Sequence, residues 1–238
     1  MNKKVFMTGV SSGIGLSLAQ EYLASGCEVW GLSRKSPDQL VKSYGSRFRF
    51  VSVDLQDLEG LQNHLSSLLK DCAGSLDLVV LNAGVLGSLG SLAQTKLTDL
   101  KKTTDINLWS NKIILDYLLN EQIAVKQVVA ISTGAATVAR PGWNGYSISK
   151  AALNMMIGIY AAEHSSTHFS SIAPGVIDTQ MQEQIYSLPR GKGFEAFDRL
   201  IQLRDSGQMK KPHQVAPDLV RFFDTVLNNP SGSFLSFR

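Results

Sequence analysis

Short apolar runs that alternate with longer amphipathic stretches dominate this chain, and few folds accept that rhythm. Val5-Phe6-Met7, Val29-Trp30-Gly31-Leu32, Phe48 to Val53, Leu78-Val79-Val80-Leu81, Val128-Val129-Ala130-Ile131 and Phe169 to Ala173 read as strands, with Ser233-Phe234-Leu235 as a last edge strand. Apolar runs without polar alternation are buried on both faces. Helical periodicity lies between them: Ile14, Leu18 and Tyr22; Leu58, Leu61, Leu65 and Leu68; residues 98–119; residues 143–163; and Val215 to Leu227. This order predicts an α/β fold: one doubly wound, mostly parallel sheet of about seven strands with helices on both faces. No repeat or linker divides the 238 residues, so a single domain over 1–238 is expected. Residues 180–212 break the rhythm. They mix Tyr186, Pro189, Gly191, Gly193, Phe194 and Phe197 without a strand pattern, and are expected to form an irregular lid hinged at Gly191 and Gly193.

Composition removes several function classes. With 44% apolar and 18% charged residues, the chain is too apolar for disorder. Its net charge of +3 is scattered, and the densest basic groups are the pairs Lys101-Lys102 and Lys210-Lys211. Nucleic-acid binding needs a clustered stripe and is not expected. No apolar run has the length of a membrane span, and Val5-Phe6-Met7 is too short for a signal-peptide core. Cys27 and Cys72 are isolated, with no C-x-x-C and no metal-ligand spacing, so neither a metal site nor a disulfide is expected. A reduced, cytoplasmic setting fits that usage.

The chemistry begins at Thr8-Gly9-Val10-Ser11-Ser12-Gly13-Ile14-Gly15, between the first strand and the first helix. Gly9 permits a tight turn, Gly13 lets backbone approach a pyrophosphate, and Gly15 allows close helix-to-strand packing. The helix N-terminus adds N–H donors and a partial positive charge. The spacing T-G-x-x-x-G-I-G resembles that of short-chain dehydrogenases/reductases. The resemblance continues through Asp54, Asn82-Ala83-Gly84, Asn107, Tyr146-Ser147-Ile148-Ser149-Lys150 and Pro174-Gly175-Val176-Ile177-Asp178-Thr179, in order.

The resemblance implies a Rossmann fold, a nicotinamide cofactor and a set of site residues. Ser11, Ser12 and Ile14 join the three glycines in the phosphate loop. Asp54 with Leu55 is implied at the adenine, Asn82-Ala83-Gly84 beside the ribose, and Pro174, Gly175, Ile177 and Thr179 around the nicotinamide carboxamide. The second strand ends Leu32-Ser33-Arg34-Lys35, without the acid that would hold a free ribose 2′-hydroxyl. Arg34 can grip a 2′-phosphate through bidentate bonds and Ser33 can add a hydroxyl donor, so NADP(H) is the expected cofactor. One departure is Ser12, where relatives using NADP often carry Arg or Lys.

Tyr146 and Lys150 share one helix face, a turn apart. A nearby ammonium lowers a phenol pKa, and such a tyrosine can protonate a carbonyl oxygen. The family's orienting serine sits thirteen positions before the tyrosine. Here that position is Thr133, preceded by Ser132. Asn107 resembles the asparagine that kinks its helix and whose backbone holds a water in a proton relay with the lysine. These residues imply a carbonyl reductase acting on a small molecule. A nucleotide-binding regulatory protein with idle chemistry is the alternative from another class.

Ile131 to Ala136, Pro141-Gly142-Trp143, Val176 to Gln182 and Leu203 to Gly207 resemble the sepiapterin reductase and bacterial benzil reductase subgroup. That implies substrates with adjacent carbonyls; an unrelated ketone or a 3-oxoacyl thioester is the runner-up. Ala135, Trp143, Ile177 and Met181 are the nearest unassigned side chains, with Phe194 and Phe197 added from the lid. None is cationic, so a flat, uncharged substrate is expected. A homodimer or homotetramer is implied through the helices at 98–119 and 143–163, with Trp109, Ile113 and Tyr117 on one face.

Overall fold

A computed structural model describes residues 3–188 and 194–237. Seven strands form one sheet: β1 (Lys4–Thr8), β2 (Glu28–Ser33), β3 (Phe48–Ser52), β4 (Ser75–Leu81), β5 (Ala124–Ile131), β6 (His168–Ala173) and β7 (Ser233–Ser236). Their spatial order is β3-β2-β1-β4-β5-β6-β7, and every pairing is parallel. The chain builds outward from β1 to β3, then returns across β1 to lay down β4. That reversal opens a crevice at the carboxyl ends of β1 and β4, where open α/β sheets bind ligands.

The strand sequences explain the two-sided burial. On β1, Phe6 faces one core while Val5 and Met7 face the other. The same alternation runs through Val79 and Leu81 against Leu78 and Val80, and through Val128 and Ala130 against Val129 and Ile131. Successive side chains of a strand point to opposite faces, so an unbroken apolar run feeds two cores at once. The first core is closed by α3 (Leu61–Leu69), α5 (Ser110–Asn120) and α6 (Asn144–Glu163). The second is closed by α1 (Gly13–Ala24), α2 (Asp38–Tyr44) and α9 (Pro212–Val226).

Three expectations change. Leu58 precedes α3 instead of belonging to it. The helix expected over 98–119 is two helices, α4 (Leu97–Thr104) and α5, joined by a π-helical turn over Asp105–Trp109. The stretch 180–212 is not irregular throughout: it holds a 3₁₀ turn at Gln180–Gln182, α7 (Glu183–Tyr186) and α8 (Glu195–Asp205). Pro189, Gly191 and Gly193, including both expected hinges, lie outside the described residues. Among the described residues, no helix is long and apolar enough to cross a membrane, and no three potential metal ligands cluster.

Candidate active site

The crevice is a cleft of about 870 Å³ lined from the ends of β1 through β6 and from α8. Its floor is the glycine loop. Gly9 adopts φ +76°, a left-handed conformation that a side chain would strain. Gly15 opens α1 in contact with the Gly9 carbonyl and the Asn82 side chain, leaving no room for a β-carbon. Ser12 caps α1 without a side-chain bond, and no acid occupies the first helical turn. Its N–H groups therefore remain free for an anion. Ser11, Ser12, Gly13 and Ile14 all line the cleft, with Thr179 packed over Gly13.

Thr8 and Gly15 do not line the cleft; they support it. Thr8 is fully buried, and its hydroxyl accepts bonds from Asn82 N (3.0 Å) and Ala83 N (2.9 Å). Asn82 Nδ2 in turn donates to the Thr8 and Gly9 carbonyls at 3.0 and 3.2 Å. This reciprocal clasp fixes the β1 loop against the β4 loop, and Asn82, Ala83 and Gly84 form the wall between them.

At the outer end, Ser33, Arg34, Lys35, Asp54 and Leu55 line the cleft. Ser33 departs from its expected part: its hydroxyl donates to the Lys35 carbonyl at 2.8 Å and braces the turn. Ser52 Oγ donates to the Arg34 carbonyl at 2.9 Å, and Arg34 is exposed. Pro174, Gly175 and Ile177 line the opposite side.

Tyr146 and Lys150 lie on the buried face of α6 and reach the cleft beside Ser132 and Thr133. Lys150 Nζ donates to the Ile131 carbonyl at 2.7 Å. Burial pulls the lysine pKa down to about 8. The expected depression of the tyrosine pKa is reversed here. Burial pushes Tyr146 up to about 12, and the hydrogen-bonded Thr133 hydroxyl is the group that pulls it back. The ammonium is spent on a carbonyl, so desolvation of the phenolate dominates. The Ser132 hydroxyl is buried without a protein partner among the described residues.

Asn107 does not line the cleft. It is fully buried within the π-helical turn, where Oδ1 accepts from Val85 N (2.8 Å) and Nδ2 donates to Val85 O and Ser149 Oγ (both 2.9 Å). Its backbone carbonyl accepts from Asn111 Nδ2 at 2.9 Å. The residue thus braces the loop after β4 against α6.

The substrate end differs most from expectation. Ala135, Trp143 and Met181 line the cleft; Phe194 and Phe197 do not. Phe197 packs edge-on behind Trp143 at 5.0 Å, Trp143 lies 5.7 Å from the Tyr146 ring, and Phe194 backs Phe197. These rings form a third apolar cluster with Leu86, Ile185 and Ile201. The helix α8 instead presents Ala196, Arg199, Leu200 and Leu203 to the cleft, a spacing that defines one helix face. Arg140, from the loop before α6, joins them. The wall is therefore not free of cations. Sequence reasoning missed Arg140 and the α8 face; the i, i+3, i+4, i+7 spacing at 196, 199, 200 and 203 was the available signal.

A sequence model of the family described as short chain dehydrogenase matches residues 3–189. A benzil reductase ((S)-benzoin forming) from Bacillus cereus is 30% identical over 235 residues, covering 93% of this chain and 94% of that protein. A second, IRC24 of Saccharomyces cerevisiae, is 31% identical over 254 residues, covering 100% and 96%. The crystal structure of the Saccharomyces cerevisiae short chain dehydrogenase/reductase YIR035C superposes with a TM-score of 0.86 at 28% identity, over 98% of this chain and 95% of that one.

Proposed function

Since this chain belongs to the short-chain dehydrogenase family, we propose that it is an NADP(H)-dependent carbonyl reductase that acts on compounds with adjacent carbonyls. Oxidoreduction at a CH–OH/C=O centre is supported by the named relatives, and the two benzil reductases point to vicinal diketones. The observation that carries the reading is the placement of Tyr146, Thr133 and Lys150 together in a cleft whose other end is a glycine loop.

The residues fit the cofactor. The start of α1, with no side-chain cap, accepts a pyrophosphate, and the close contacts at Gly9 and Gly15, which leave no room for a β-carbon, hold the loop against the turn after β4. Arg34 is assigned to the 2′-phosphate, with Lys35 beside it. Bound NADPH supplies the hydride. Tyr146 donates its proton to the substrate oxygen, which the Thr133 or Ser132 hydroxyl orients. Lys150 refills the phenol and would hold the nicotinamide ribose, and Asn107 positions the loop after β4 against α6, which carries both residues. Residues 180–188 and 194–212 close over the substrate. Their end is tied back by Arg204, which pairs with Glu183 at 2.6 Å and stacks over Tyr186, and by Lys211 on Asp178 at 3.1 Å.

The test is an NADPH-oxidation assay over aromatic 1,2-diketones, small aliphatic ketones and acyl thioesters. Benzil is expected to exceed small ketones in kcat/KM, because the wall around Trp143 is broad and apolar. In the same assay, Arg34→Ala is expected to raise the KM for NADPH roughly tenfold or more, without a matching change for NADH. Equal effects on both nucleotides would remove the 2′-phosphate assignment.

A pH profile gives a second check. Lysine is charged below its pKa, so Lys150 carries its proton up to about pH 8 and loses it above. Carbonyl reduction consumes a proton. Its kcat is therefore expected to be level below that pH and to fall about tenfold per unit above it. Lys150→Arg, which keeps its charge at all accessible pH, is expected to abolish the break whatever its absolute rate.

We further propose a homo-oligomer in a reduced compartment. Trp109, Ile148, Met155 and Ile159 stand exposed along the α5–α6 side, whereas Ile113 and Tyr117 pack against the core; both cysteines are free. Light scattering of the purified protein measures the assembly.

A further inference from the structure

The cleft concentrates positive charge beyond what its assigned parts use. Arg34, Lys35, Arg140, Lys150 and Arg199 line it, against Asp54 as the acid among the described lining residues. That is an excess of four charges in one cleft, while the whole chain carries +3. Topology divides them. Arg34 and Lys35 follow β2 and Asp54 follows β3, on one side of the crevice; Arg140 follows β5 and Arg199 lies on α8 beyond β6, on the other. Lys150 is directed to the Ile131 carbonyl. Arg140 and Arg199 remain, and neither forms an ion pair among the described residues.

Packing ties together the segments that carry these two. Arg140 stands three residues before Trp143, its carbonyl bonded to the Trp143 amide. Arg199 follows Phe197 by two residues, and Phe197 is in edge contact with Trp143 at 5.0 Å. The ring pair therefore joins the two segments that carry the guanidiniums. Trp143 in turn touches Tyr146. Trp143 thus stands between the Tyr146 ring and Phe197, on the segment that carries Arg199.

We propose that Arg140 and Arg199 form an anion-recognition pair, and that the preferred substrate is a carbonyl compound with an apolar body and a carboxylate or phosphate at the end away from the reacting carbonyl. This rests on the reductase reading and refines its substrate class. Guanidinium forks suit both groups. The wall sets the order of parts: Tyr146 at the carbonyl, Trp143, Leu200 and Leu203 along the body, guanidiniums at the rim.

Two substrate pairs test it, each with a constant reacting centre. One is benzil against para-carboxybenzil. The other is the neutral N-acetylcysteamine thioester of acetoacetate against acetoacetyl-CoA, whose anion is phosphate. In at least one pair the anionic member is expected to have about tenfold higher kcat/KM, shrinking with added salt. Arg140→Gln and Arg199→Gln are each expected to lower that ratio several-fold. Arg199→Glu is expected to bring it below one, and Arg199→Lys to restore part of it. The pair that responds identifies the carboxylate or the phosphate as the source. Calorimetric binding of the same pairs to the NADP⁺-loaded protein reads the ratio independently of turnover. Failure to reduce benzil would remove the diketone reading while the thioester pair and the binding ratios still judge the arginines. The proposal is overturned by ratios near one in both pairs, by arginine variants that lower both members equally, or by a change confined to the KM for NADPH.

Discussion

Tyr146→Phe is expected to lower kcat for carbonyl reduction about 10³-fold while the NADPH dissociation constant stays within a few-fold of wild type. The substitution removes one oxygen from a side chain that is 9% exposed and ringed by Trp143 and Leu86, so the packing is kept. What disappears is the O–H that protonates the substrate oxygen. The phenol pKa of about 12 means that the acid is present across the neutral range. The loss is therefore expected at every pH of the assay. Single-turnover rates separate this from slow product release, and fluorescence titration with NADPH supplies the binding control. A variant that binds the nucleotide and keeps its biological effect without turnover would favour a regulatory protein over an enzyme.

Gly15→Ala is expected to weaken NADPH binding at least about 100-fold and to destabilise the fold by about 1–3 kcal/mol. The added carbon would overlap the Gly9 carbonyl oxygen and Asn82 Nδ2, and it would stand 3.0 Å from the Gly9 carbonyl carbon. None of these is the free end of a flexible side chain. The start of α1 must move away from the loop, or Asn82 must release its bonds to Thr8 and Gly9. Either change turns the N–H donors away from the pyrophosphate. Gly158→Ala is the contrast. It lies within α6 with nothing inside 4 Å of its new carbon, so a gain of about 0.5–1 kcal/mol is expected from helix propensity alone. Thermal melts with and without NADPH resolve both signs.

The sheet was legible because a two-sided core demands unbroken apolar runs, and chance rarely supplies those. The π-helical turn was not. Asp105-Ile106-Asn107-Leu108-Trp109 contains neither proline nor glycine, and the extra residue is absorbed by Asn107 bonding sideways to Val85 and Ser149. The helix α8 was hidden for another reason. Phe197 and Ile201 are buried in the apolar cluster, while Ala196 and Leu200 pack against it and, with Leu203, also line the cleft. One broad apolar arc that serves both surfaces is wider than the single stripe that periodicity detects. In the site, spacing located the loops but could not show which way a side chain turns. Thr8 and Asn107 look the same in sequence whether they touch a ligand or buttress the residues that do.

The clasp between Thr8 and Asn82 also bears on the order in which the molecule is made. The amide that fixes the glycine loop lies 74 positions downstream, and β1 cannot complete its pairing until β4 arrives. Loop closure over that distance must precede the contact that rewards it. A nascent chain that has emerged only through β3 therefore holds every glycine of the motif and still lacks a binding-competent loop. Nucleotide capture by this protein is a late event in folding, and excess NADPH added during refolding should deepen the native basin without accelerating the steps that lead into it.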